Sequence, residues 1–235
     1  MKSYYHRSKS LANSFLFILP LLVTYEVGIA IQGSCVKNTA DIIVKTSLAL
    51  LGKNGSLIFN SLVIIFLFAS VFYIEKEYRL SPVIFIPMFM ESAVYALFMG
   101  YGLGFIVYKV LFPYALSLHF SKDMWMGIIL SVGAGVYEEI VFRLLLITLL
   151  YFTLTTLLKI YKPIGAIISI ITAALIFTFM HYVGSLSDSF TYTNFTFRFL
   201  SGIVLSAIFL FRGLGVVVYT HVIYDVLTVL KPFQV

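Results

Sequence analysis

Long apolar runs separated by short charged or glycine-containing breaks recur along the chain. They extend from about Leu11 to Ile31, Ser56 to Ile74, Pro82 to Leu111, Trp125 to Leu158, Ile164 to Val183, Phe195 to Phe211 and Gly215 to Leu230. A helix crosses a bilayer with about 20 apolar residues, so each run predicts a span. The run from Trp125 to Leu158 would make about 50 Å of helix against a hydrocarbon core of about 30 Å. It must break or protrude, with Gly133 and Gly135 as the weak points. The third run is also long, which predicts tilt or a kink at Pro87. Between Lys37 and Lys53, apolar Ile42, Ile43, Leu48 and Leu51 alternate with Asp41 and Lys45, a pattern that suits a short helix lying at the interface. The predicted fold class is all-α: a polytopic transmembrane helix bundle of about seven to eight spans plus the interfacial helix.

Composition agrees with that reading. Hydrophobic residues make up 61% of the chain and charged residues 11%, against about 25% charged in ordinary soluble domains. Residues 1–235 are expected to form a single membrane domain. Residues 1–130 would hold the first three spans and the interfacial helix, and 131–230 the motif-bearing spans. The net charge of +6 raises a nucleic-acid reading, but Lys and Arg sit at span ends rather than in a patch. The expected partners are therefore the lipid bilayer and no nucleic acid. The first run follows a basic lead yet continues past Glu26 without a small-residue cleavage site, so it is expected to stay as a span. The single cysteine, Cys35, excludes an intramolecular disulfide and any cysteine-rich metal site. Loop charges favour a cytoplasmic N-terminus, with Lys2, Arg7, Lys9, Lys76, Arg79, Lys159, Lys162 and Arg212 on the inner side. The expected location is a prokaryotic cytoplasmic membrane.

Chemistry is concentrated in three places. The segment from Gly133 to Arg143 carries Glu138, Glu139 and Arg143; the fifth run carries Phe177 and His181; the last carries His221 and Asp225. An ionisable group at bilayer depth costs about 2.5–3.5 kcal/mol on insertion scales, so such a set calls for a function. Glu139 and Arg143 are four apart and share a helix face as an ion pair, which leaves Glu138 for chemistry. Phe177 with His181, and His221 with Asp225, repeat that spacing. Of the four histidines, His6 and His119 read as interfacial. Glu26 and Glu91 are expected to act as structural glue with Lys109, Arg198 or each other, and Tyr137 as packing.

No serine or cysteine in these clusters is an obvious activated nucleophile, so attack by water is the simplest chemistry. Glu138 would deprotonate the water, His181 would orient it or share its proton, and His221 would donate to the oxyanion. The output is hydrolysis of a peptide bond in a membrane-anchored protein or peptide. No cofactor is expected. The alternative is zinc, since Glu138, His181 and His221 would suffice for a site with an open water position. Rival readings are a proton-coupled transporter and a non-catalytic membrane scaffold or immunity protein, although no internal repeat of the kind carriers show is visible.

Glu-Glu-x-x-x-Arg, Phe-x-x-x-His and His-x-x-x-Asp in that order on successive apolar segments resemble the CPBP family. These are the CAAX proteases and bacteriocin-processing enzymes, also called the abortive-infection family, related to the type II CAAX prenyl endopeptidase. The resemblance covers about Gly133 to Leu230. It implies an intramembrane endopeptidase with Glu138, His181, His221 and Asp225 as catalytic residues and Glu139 and Arg143 in support. Family members commonly carry Asn at the position of Asp225, and an ionised Asp has no proton to give an oxyanion. Asp225 would then be protonated or would orient His221.

Overall fold

The computed structural model describes residues 4–32, 82–111, 124–183 and 189–230. The expected span from Ser56 to Ile74 and the interfacial helix between Lys37 and Lys53 lie outside the described residues. Among those described, every regular element is helical: α1 (Tyr4–Ser8), α2 (Leu11–Gln32), α3 (Phe85–Leu111), α4 (Met124–Leu157), α5 (Lys162–Met180), α6 (Tyr192–Arg212) and α7 (Leu214–Leu230). By length and composition α2 to α6 can each cross a membrane, and α7 is a shorter apolar helix. The chain is a polytopic helical membrane protein.

Several boundaries differ from the hydrophobic pattern, each for a local reason. Pro87 falls in the first turn of α3, where its missing N–H costs nothing, so it does not kink the span. The irregularity of α3 lies further on, in wide-turn π segments at Phe98–Leu103 and Phe105–Leu111. The fourth run does not break at Gly133 or Gly135. It continues as one helical segment to Leu157, with π turns over Glu139–Ile147 and Thr153–Leu157. In a nonpolar medium a π turn changes side-chain direction while keeping backbone groups paired, which a break would not do. The start of α6 moves back to Tyr192 because Thr191 caps it, its side chain accepting from the Asn194 N–H at 3.1 Å. Gly213, at φ +87°, ends α6 and admits α7 one residue later.

α7 is central and packs against α2, α3, α4 and α6. Leu214, Val216, Val217, Val218 and Thr220 are fully buried there. Apolar burial gives little attraction between helices in lipid, so close approach over small residues has to hold the bundle. A Cβ on Gly135 of α4 would lie 2.4 Å from Val222 Cγ2 and 2.9 Å from the Val222 backbone nitrogen. Gly202 of α6 brings that helix against Ala174 and Phe177 of α5 in the same way. The Ser92 hydroxyl of α3 reaches Val216 O of α7 at 3.1 Å.

One polar cluster ties three elements at the end of the bundle where α1 lies. The Arg212 guanidinium forks onto Glu91, with Nε on Oε1 and Nη2 on Oε2 at 2.7 Å. Tyr4 and Tyr95 donate their hydroxyls to the same carboxylate at 2.9 and 3.0 Å. Arg212 also donates to Ser8 Oγ at 3.2 Å and stacks over Tyr5. Glu91 is structural glue as expected, but its cation is Arg212 and not Lys109 or Arg198. The tight corner at Gly213 places Arg212 beside the N-terminal helix.

Candidate active site

The geometry starts from the Gly135 contact. By letting α4 approach α7 to backbone distance, it sets Glu138, just under one turn further along α4, level with His221 on α7. Glu138 ends the regular part of α4, and the π turn that follows carries Glu139 and Arg143. His181 caps the last turn of α5, its backbone N–H bonded to Thr178 O at 3.2 Å.

These elements bring the predicted residues together. Glu138 Oε2 lies 3.9 Å from His181 Nε2 and 4.0 Å from His221 Nε2. The other ring nitrogens are committed. His181 Nδ1 is 2.9 Å from Phe177 O, and since a carbonyl only accepts, that nitrogen carries the proton. His221 Nδ1 is 2.7 Å from Glu139 Oε1, the carboxylate oxygen that also stands 3.0 Å from Arg143 Nη1. Both imidazoles are thus oriented from behind, with Nε2 turned toward Glu138. Asp225 Oδ2 is 3.4 Å from His221 Nε2.

Glu139 does more than the predicted ion pair, because it also holds His221. Sequence spacing gave no sign of this, as the bond joins residues 82 apart on different helices. Arg143 is buried, pairs with Glu139 by proximity and lies 4.4 Å above the Phe177 ring. Phe177 also meets the His181 ring edge-on at 4.7 Å. Arg198 of α6 stands within electrostatic reach of Glu138 as well. The side chains of Glu139 and Arg143 are sealed at 0 and 1% exposure, whereas His181 and Asp225 are 19 and 26% exposed. The cluster is therefore accessible at His181 and Asp225 and sealed at Glu139 and Arg143.

The zinc alternative can be tested on this geometry. Tetrahedral zinc with bonds of about 2.0–2.1 Å holds its ligand atoms about 3.3–3.4 Å apart. The separations here are 3.9 and 4.0 Å, and among the described residues no group of three or more His, Cys, Asp or Glu could hold a metal ion. These two separations are wider than bound zinc would hold them, whereas Asp225 Oδ2 and His221 Nε2 at 3.4 Å stand at that spacing.

Residues 118–227 match the family described as Rce1-like, type II CAAX prenyl endopeptidase. The match contains Glu138, His181, His221 and Asp225, so the resemblance read from the three motifs is borne out, and at family level the match supports a CAAX-type intramembrane peptide hydrolase. Helices α1 to α3 precede the matched region. No curated protein and no solved structure matches the chain significantly.

Proposed function

We propose that the protein is an endopeptidase in which Glu138 and His181 activate a water molecule against a peptide bond of a membrane-associated protein or peptide. The observation that carries this reading is the 3.9 Å gap between Glu138 Oε2 and His181 Nε2. An oxygen about 2.8 Å from each, an ordinary hydrogen-bond length, spans that gap. One water proton then points to the carboxylate. The other points to the lone pair of His181 Nε2, since the His181 proton is already on Nδ1. A lone pair on the water oxygen is left for attack.

As that oxygen bonds to the scissile carbon, the carbonyl π electrons move onto the carbonyl oxygen and a water proton moves to Glu138. With carboxylates of Glu138, Glu139 and Asp225 around its ring, His221 is built to donate from both nitrogens. Its Nε2–H, held by Asp225 in the resting site, would turn to the oxyanion as that charge develops. Collapse of the intermediate breaks the C–N bond, and Glu138 returns its proton to the departing amine. Asp225 orients His221 in this scheme. Glu139 and Arg143 fix the back of the site, and Phe177 spaces Arg143 from the histidines.

The family description makes a prenylated CAAX tail the first substrate to try, followed by a bacteriocin leader and a C-terminal sorting tail. The test incubates purified protein with each peptide in lipid–detergent micelles and maps products by mass spectrometry. Cleavage by the wild type, lost in Glu138→Gln with the fold intact, is the expected result. A Glu138→Gln protein that keeps its biological function would turn the reading to a scaffold.

A further inference from the structure

Glu26 of α2 and Tyr137 of α4 share a short hydrogen bond, the phenol donating to Oε1. Tyr137 is buried at 1% exposure and precedes Glu138 directly. The two helices are close here. The Tyr25 ring meets the Tyr137 ring edge-on at 5.5 Å, and a Cβ on Gly28 would lie 2.9 Å from Ile129 Cγ1. Glu26 therefore comes from a span outside the matched region 118–227 yet bonds the residue next to the proposed base.

We infer that Glu26 is a positioning residue: through Tyr137 it fixes the rotation of α4 and thereby the place of the Glu138 carboxylate. This rests on the proposed role of Glu138. An apolar pair would fill the same space without placing a carboxylate within a membrane span, where ionisable groups are disfavoured. An apolar contact is also non-directional, whereas a hydrogen bond holds one angle. The angle matters because side-chain ends lie about 5–6 Å from a helix axis, so a 10° turn of α4 displaces the Glu138 carboxylate by about 1 Å. A misplacement of that size can cost about 10²-fold in rate. On its other side α4 is held by the Gly135 contact with Val222, which fixes distance from α7. The Glu26 bond supplies the second restraint, on rotation.

The test measures kcat, KM and thermal unfolding for wild type, Tyr137→Phe, Glu26→Ala, Glu26→Gln and the double variant Glu26→Ala/Tyr137→Phe. The probe is a farnesylated CAAX peptide in lipid–detergent micelles. Tyr137→Phe and Glu26→Ala should each lower kcat about 10- to 100-fold with KM changed less than about twofold. The double variant should lose less than the two single losses combined, because the Glu26–Tyr137 bond is common to both. Glu26→Gln keeps a carbonyl acceptor for the phenol and should restore kcat to within about threefold. The inference is overturned by unchanged kcat in both single variants, by additive losses, by losses that follow only the folded fraction, or by failure of Glu26→Gln to rescue. A folded wild type that leaves this peptide intact would instead remove the protease reading for that substrate, and this inference with it.

Discussion

Glu139 accepts the Nδ1 proton of His221 at 2.7 Å while standing 3.0 Å from the Arg143 guanidinium. One carboxylate oxygen thus serves a sealed cation and a histidine on another helix. Removing either partner of a buried pair leaves an uncompensated charge, at a cost of about 3–5 kcal/mol. Glu139→Ala should lower thermal stability by about that amount and lose activity even where it remains folded. Arg143→Met, which also removes the charge but fills the space, should unfold at a higher temperature than Arg143→Ala. Unfolding followed by circular dichroism in detergent, with activity at a permissive temperature, separates these effects.

The α4–α7 contact predicts steric sensitivity at one glycine. A methyl at Gly135 would meet Val222 Cγ2 at 2.4 Å, so Gly135→Ala should destabilise by about 1–3 kcal/mol. Activity should fall further than stability because Glu138 moves away from His221. Val222→Ala removes the nearest atom but not the backbone nitrogen at 2.9 Å, so the double variant should recover part of the loss. Full recovery would mean that backbone approach does not set the site.

Asp225 stands 3.4 Å from His221 Nε2, which makes its hold on that ring testable. If it orients His221, Asp225→Asn should retain activity within about tenfold, since its amide oxygen still accepts from Nε2–H. Asp225→Ala should lose about 10²-fold or more in kcat. Equal, severe losses in both variants would contradict the orienting role.

Metal independence has its own outcome. Prolonged dialysis against a strong chelator should leave hydrolysis unchanged, and added zinc should not raise it. Loss on chelation with recovery on zinc addition would restore the metal alternative with Glu138, His181 and His221 as ligands.

The cluster at α1 predicts an alkaline transition outside the active site. Burial, then the hydrogen bond and charge of Glu91, push the Tyr4 phenol up to about 12 from its ordinary value near 10. Because its folded value is the higher, the stabilisation from Tyr4 is fully present below about pH 10 and is lost as pH rises through about 12. Loosening of the N-terminal segment, read by limited proteolysis, should begin in that window. Tyr4→Phe should be looser at neutral pH and flatter between pH 10 and 12.

The sequence by itself determined the class and the cast. Apolar runs near bilayer length require helices because lipid leaves backbone groups no other partners, and this held for every described span. The i, i+4 spacings named Glu139 with Arg143, Phe177 with His181 and His221 with Asp225, since neighbours on a helix face follow from its pitch alone. Only the tertiary structure decided what crosses between helices. That His221 leans on Glu139, that Glu91 takes Arg212 and that Tyr137 bonds Glu26 are contacts between residues about 80 to 120 apart in the chain. Such pairings depend on which faces meet and at what height, and a close approach over Gly135 or a π turn after Glu138 shifts both. Periodicity reports the face of each helix; depth, rotation and neighbour are fixed by packing.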